Sequence, residues 1–313
     1  MVTDNTEESP ILSDPSSNNS IPDAGRNGSA DAILLMLVAM ALFSVMDGVT
    51  KELAQRLSAL EVGWGRYLFN LLFLVPVFLK PSGRRALATR RPLPQIARGA
   101  LLFGSGLLFI TALRSLPMAD ATATGFVAPL MVTALSIPLL GERVEAARWL
   151  AVLAGFGGVL VVVRPGGAGF EPASLLPLAS AACWALSLII TRQLSSTEQP
   201  LTTLIYSGLT GFALSSLLLP GVWLAPAATD WLLLAAAGGL YALAQFLLLR
   251  AFLTAHASLL APFQYSQIAW STAIGLVWFG SIPDLPTLAG TAVIIASGLY
   301  VWRRESRGAA TAA

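Results

Sequence analysis

Charge is scarce in this 313-residue sequence. Asp, Glu, Lys and Arg make up 12% of it against 55% hydrophobic residues, and the mean hydropathy is +0.71. A soluble domain of this length needs more charge to cover its surface. Cysteine and histidine occur once each, as Cys183 and His256. An internal disulfide and a thiolate metal cluster are therefore excluded, and no metal site is expected. No glycine-rich phosphate loop ending in lysine is present, so a gradient or exchange would have to drive any transport. No nucleophile–base pair or paired acidic helix motif stands out, so no catalytic residue and no cofactor is expected.

What is there is a series of apolar runs of about 20 residues, each long enough to cross a hydrocarbon core about 30 Å thick. In lipid such runs must be helical, because every backbone polar group has to be satisfied internally. The expected class is all-α integral membrane, with ten transmembrane helices. They run over Ala32–Leu53, Val62–Leu79, Gly99–Ser115, Ala121–Leu140, Trp149–Val163, Ala173–Leu194, Leu201–Leu219, Trp231–Phe252, Leu259–Gly280 and Leu288–Val301. Connections are short, so consecutive helices are expected as neighbours. Residues 1–31, rich in Ser, Asn, Asp and Pro, read as a disordered cytoplasmic tail. They lack the basic and apolar regions of a cleavable signal, so the first span serves as the insertion signal. Residues 305–313 read as a short cytoplasmic tail.

Basic residues cluster after even-numbered spans. Lys80, Arg84, Arg85, Arg90, Arg91 and Arg98 follow the second, and Arg143 and Arg148 follow the fourth. Arg192 and Arg250 end the sixth and eighth, and Arg303, Arg304 and Arg307 follow the tenth. Other connections hold fewer. The positive-inside rule then places both termini in the cytoplasm, the protein being a multi-pass bacterial inner-membrane (plasma-membrane) protein.

The sequence also repeats. Residues 32–54 lie over 173–195 without a gap, Thr50-Lys51 meeting Thr191-Arg192 and Leu53 meeting Leu194. Ala128-Pro129 in span four has a counterpart in Ala261-Pro262 of span nine. Five is an odd number, so the second half enters the membrane from the opposite side, giving two inverted five-helix repeats. Such repeats characterise secondary transporters with a midplane site.

Several stretches resemble EamA-type transporters of the drug/metabolite transporter superfamily. They are Ala112-Leu113-Arg114-Ser115-Leu116-Pro117 with Ala119-Asp120-Ala121-Thr122-Ala123, then Ala128-Pro129-Leu130, Leu140-Gly141-Glu142-Arg143, Gly155-Phe156-Gly157-Gly158 and Arg164-Pro165-Gly166. In the second half Ala261-Pro262-Phe263-Gln264-Tyr265, Phe279-Gly280 and Pro283-Asp284 match them. The resemblance implies EamA-like five-helix repeats over residues 32–165 and 172–304. It departs at Ser281, where Gly141-Glu142 of the first repeat predicts an acid.

Ionisable groups inside spans are costly and default to functional candidates. Asp47 in span one and Arg66 in span two fall at similar depth. Either they pair, or Arg66 takes an anionic group of the substrate, or Asp47 bonds Lys51 one turn on. Asn70 lies one turn beyond Arg66. Span nine carries Gln264, Gln267 and Ser271 at i, i+3 and i+7, flanked by Tyr265 and Trp270. Thr122, Pro129 and Thr133 mark span four, and Tyr241 and Gln245 stand at i, i+4 in span eight. These polar stripes should face inward, and Pro129 and Pro262 break the helices that carry two of them. Trp64 and Tyr67 line a solute path or belong to the interfacial aromatic belt. The glycine-rich stretches read as close helix contacts, and His256 as a loop residue.

The reading is a secondary transporter that moves a small organic metabolite, such as an amino acid, vitamin or flavin, by alternating access. The alternatives are a flippase for a lipid or lipid-linked intermediate and, less favoured, an intramembrane enzyme or a sensor. The expected partners are a small-molecule substrate and the lipid bilayer. Proton coupling, exchange and homodimer formation stay open, and nucleic acid is not among the partners.

Overall fold

The computed structural model describes residues 26–78, 87–140, 146–166, 171–195, 197–255 and 257–312. Among them there are helices and turns and no strand. In chain order the helices are α1 (Arg26–Ala54), α2 (Ala59–Phe78), α3 (Pro92–Leu113), α4 (Met118–Gly125), α5 (Ala128–Leu140) and α6 (Ala146–Val163). They continue as α7 (Leu175–Leu194), α8 (Pro200–Leu218), α9 (Ala228–Thr254), α10 (Ala257–Gln264), α11 (Ser266–Phe279) and α12 (Leu285–Ala312). Seven stretches are long and apolar enough to cross a membrane, α4 and α5 together counting as one. With α2, the shorter α6 and the pair α10–α11, each of the ten expected spans falls on a helix or a helix pair. α1 begins at Arg26, ahead of the expected Ala32. Residues 1–25, Lys80, Arg84, Arg85, Gly141-Glu142-Arg143 and His256 lie outside the described residues.

Local chemistry sets the ends. Ser58 and Glu61 form a reciprocal capping box at the start of α2: the Ser58 N–H donates to Glu61 Oε2 at 2.8 Å and the Glu61 N–H to Ser58 Oγ at 3.2 Å. Pro92 opens α3 where its missing N–H costs nothing. At the start of α9 the Asp230 carboxylate accepts the Ala227 N–H at 3.0 Å. α11 stops at Gly280, whose φ of 63° suits glycine. There the Ser281 N–H and Oγ both donate to the Gly275 carbonyl, at 3.0 and 2.9 Å. Ser281 thus finishes a helix where the first repeat suggested an acid. Asp284 accepts the Thr287 N–H at the start of α12 and is also the acceptor for Arg164 Nη2. That N–H, and then Arg164, hold its carboxyl below the usual carboxylate range.

The helices pack across the halves. α1 lies mainly on α9 and α11, α3 on α7 and α8, α2 on α9 and α8, and α6 on α12. Consecutive crossings such as α1 and α2, expected as neighbours, touch little. A short connection fixes only where two ends meet, whereas the sites of small residues decide where backbones approach. On α9, a Cβ at Gly238 would stand 3.0 Å from the Arg66 carbonyl oxygen and the Asn70 nitrogen of α2. Gly158 of α6 and Gly290 of α12 face each other, a Cβ on the first standing 2.8 Å from the other's carbonyl oxygen. Gly155 and Gly158 are close-contact glycines as expected, but Gly104 and Gly157 face open space.

The packing has a symmetry. Let α4–α5 be the fourth crossing and α10–α11 the ninth, and exchange each crossing with the one five places on. The α1–α9 contact becomes α3–α7, α2–α9 becomes α3–α8, and α1–α11 becomes α5–α7; α2–α8, α6–α12 and the meeting of the fourth crossing with the ninth map onto themselves.

Gly158→Leu should therefore overpack the α6–α12 crossing and cost about 1–3 kcal/mol, read as a lower melting temperature in detergent. Gly157→Ala on the open side should change nothing. Equal behaviour of the two variants would contradict this packing.

Candidate functional site

Helices α1, α2, α4, α9 and α11 bring polar groups together inside the bundle. On α1, Ser44, Asp47 and Lys51 are all buried. Asp47 is 4% exposed, and Gln267 Nε2 of α11 donates to its Oδ2 at 3.4 Å. Ser44 Oγ donates to the Gln267 carbonyl at 3.2 Å and lies 3.2 Å from Ser271 Oγ. Thr122 Oγ1 of α4 donates to that same Ser271 hydroxyl at 3.1 Å. Thr122, Gln267 and Ser271, from the stripes expected on spans four and nine, therefore meet Ser44 and Asp47 of α1 in one polar seam, and each hydroxyl in it finds a partner where lipid supplies none.

Beside the seam stands Arg66 of α2, 9% exposed. Its guanidinium lies over the rings of Tyr67 and Tyr241, 5.8 and 5.5 Å from their centroids. Gly106 of α3 makes room for it: a Cβ there would be 2.6 Å from Nη2. Tyr241 comes from α9, which lies between α1 and α2, and its ring also meets Phe43 of α1 edge-on at 6.1 Å. Gln245 Nε2 donates to the Tyr241 hydroxyl at 3.1 Å. Asn70 is buried on α2 beside Gly208 of α8.

The two broken crossings meet at their breaks. Phe126, between α4 and α5, and Tyr265, between α10 and α11, pack with ring centroids 5.1 Å apart and their planes tilted by 37°. Pro129 lies in the first turn of α5, just after one break, and Pro262 inside α10, just before the other. Thr133 is buried, but its hydroxyl donates to the Pro129 carbonyl at 3.2 Å, one turn back on its own helix. Gln264 is half-buried at the end of α10. Trp270 is not part of the assembly: it is 42% exposed on the lipid side. One residue before Ser271, it is turned by about 100° from the buried face.

Three expectations change. Asp47 and Arg66 do not form an ion pair within 4 Å among the described residues. Nor does Asp47 bond Lys51. Lys51 Nζ donates instead to the Leu113 and Leu116 carbonyls at 2.7 and 2.6 Å, closing the C-terminal end of α3. Arg98, counted with the loop charges after span two, is buried on α3, donating to Thr191 Oγ1 at 2.6 Å, to the Thr203 carbonyl at 3.2 Å and to Ser207 Oγ. Pro92 at the helix start was the available signal that Arg98 lies within α3. Trp64 joins an aromatic group with Phe212, Trp223 and Trp231, its Nε1 donating to Ser216 Oγ at 2.9 Å.

Two cavities lie at opposite ends of α8. One, of about 390 Å³, is lined by Trp64, Phe212, Ser216, Leu219, Pro220 and Trp223. The other, of about 230 Å³, lies among Ala88–Arg90 and Thr197–Gln199, with Thr202. The first lies where α2 begins, beside the loop after α8, and the second where α8 begins, beside the loop after α2.

Comparison with known proteins places the chain. The EamA-like transporter family matches residues 31–164. A riboflavin transporter of Rhizobium johnstonii is 31% identical over 278 residues, 88% of this chain and 91% of that protein. An S-adenosylmethionine uptake transporter of Rickettsia bellii is 30% identical over 271 residues, 87% of this chain and 93% of that protein. A crystal structure of 21% identity shares the fold, with a TM-score of 0.59 over 90% of this chain and 99% of that one.

Lys51→Met should leave two buried carbonyls without a donor and cost about 1–3 kcal/mol, measured by unfolding in mixed detergent. Trp270→Leu should stay within about 0.5 kcal/mol of the parent. A harmless Lys51→Met would contradict the capping role.

Proposed function

The chain belongs to the EamA-like transporter family, and from that premise we propose that it carries its solute by alternating access between two inverted five-helix halves. It is a multi-pass inner-membrane protein whose role is transport of a small metabolite rather than catalysis. The observation that carries the proposal is the convergence of Asp47, Arg66, Tyr241, Gln245 and Gln267 from α1, α2, α9 and α11 on one buried region. Lipid-facing polar groups would be expelled, so such a region is kept for a polar visitor.

Support for inverted halves comes from the larger helix contacts, which persist on exchange of the halves, and from the meeting of the two breaks at Phe126 and Tyr265. The two cavities at corresponding places on opposite ends fit a carrier that opens to either face. The halves would comprise residues 32–165 and 172–304, with both chain ends in the cytoplasm, as the basic residues after even-numbered crossings require.

The solute is bound among Asp47, Arg66, Asn70, Tyr241, Gln245 and Gln267, with Gln264 and Tyr265 at the break above them. Arg66 takes its anionic group. Relatives are named for S-adenosylmethionine and for riboflavin; both carry a nitrogen heteroaromatic ring, which suits Tyr241, Phe43 and the amide side chains.

Purified protein in sealed vesicles tests this. Radiolabelled S-adenosylmethionine, riboflavin and amino acids are each offered, with the same unlabelled compound trapped inside. The expected result is saturable counterflow of at least one, lost by roughly tenfold or more in Arg66→Ala while the melting temperature is kept. Flux equal to that of empty vesicles for every compound, or full flux with Arg66→Ala, would refute the proposal. Reporter tags on the two ends should face the same side of the membrane.

A further inference from the structure

Most charges of this bundle are met by protein groups. Lys51 is spent on two backbone carbonyls, and Arg98 on a threonine hydroxyl, a serine hydroxyl and a carbonyl. Near the ends of the helices, opposite charges meet directly: Arg56 Nη1 is 3.0 Å from Asp230 Oδ1, and Arg164 bonds Asp284. Asp47 and Arg66 fit neither pattern. Both are more than nine-tenths buried, and the field of Arg66 acts on Asp47, yet no ion pair joins them within 4 Å.

Each has only a partial substitute. Asp47 accepts one amide N–H, from Gln267 at 3.4 Å, well beyond the roughly 2.7–2.9 Å of a strong charge-assisted bond. Arg66 has two ring faces and a side-chain hydrogen bond with Tyr67, but no carboxylate within 4 Å among the described residues. Leaving a buried ion incompletely compensated is costly, so the arrangement makes sense if something else completes both. α1 and α2 pack on α9 rather than on each other, and Tyr241 of α9 stands between them, touching Arg66 on one side and Phe43 of α1 on the other.

A ligand of one charge would satisfy one ion and leave the other. A ligand with both charges on neighbouring carbons satisfies both and leaves the net charge of the site unchanged. We propose that the solute has an amino-acid-type head, its ammonium received by the Asp47 carboxylate and its carboxylate by the Arg66 guanidinium, with the rest of the molecule along Tyr241 and Phe43. This assignment rests on the transport reading above and narrows its substrate class: of the two solutes for which relatives are named, S-adenosylmethionine has such a head and riboflavin has none.

The test uses full-length purified protein and direct binding to S-adenosylmethionine, the common L-amino acids and riboflavin. For the tightest binder, the α-hydroxy acid and the carboxamide analogues are then compared with the parent. The parent protein should prefer the amino acid over each analogue by about tenfold or more. In Asp47→Asn, which keeps side-chain shape, the preference over the hydroxy acid should fall to about one, while the preference for carboxylate over carboxamide remains. In Arg66→Gln the two outcomes should exchange. A residue that only held the bundle together would weaken all three ligands alike. Should Arg66→Gln fail to fold, Arg66→Lys, which keeps the charge but not the fork, should weaken carboxylate selectivity alone. The proposal is overturned if riboflavin is the tightest binder, if no compound with an amino-acid head binds, or if Asp47→Asn leaves amine selectivity intact. Failure here with saturable flux in vesicles would sink the head assignment and leave transport standing; absence of flux would sink transport itself.

Discussion

A hydroxyl, amide or ion at the depth of these helices has no water to return to, and this constraint organises the whole bundle. Ser44, Ser271 and Thr122 bond one another across three helices, and Gln267 turns to Asp47. Lys51 closes the end of α3, and Arg98 ties α3 to α7 and α8. Large apolar side chains take the other direction: on α11, Val277 is 86% exposed while Ser271 is fully buried. Two solvents, lipid outside and protein inside, sort one helix into two faces.

The same constraint explains why the fold was largely legible. The apolar runs give ten segments because only helices can hide their backbone in hydrocarbon, and the prolines announced breaks because a ring removes a donor. Of the stripes expected on spans four and nine, Thr122, Gln267 and Ser271 came together with Ser44 and Asp47, while the Thr133 hydroxyl turned to its own helix. What sequence could not give was which helices touch. Short connections suggested neighbours, but glycine positions such as Gly158, Gly290 and Gly238 let distant crossings approach, and those are set by contact partners far along the chain. Trp270 was misplaced for a related reason: flanking a polar residue in sequence is not sharing its face.

Charge was read less well than polarity. Lys51 and Arg98 looked like loop or neighbouring-residue charges, because a helix end cannot be located to within a turn from hydropathy. In the fold each becomes an internal fastening. With those two cations committed, Asp47 and Arg66 stand out as the buried pair whose needs the described protein residues do not fully meet. That contrast, rather than any motif, is what the proposed binding place rests on.

Accessibility of that region to water separates a carrier from a bundle held together by polar contacts. In a Cys183→Ser background, Gln267→Cys should react with a small water-soluble thiol reagent and be protected by transported solute, while Trp270→Cys should stay inert in lipid. Reaction at position 270 with none at 267 would contradict the account.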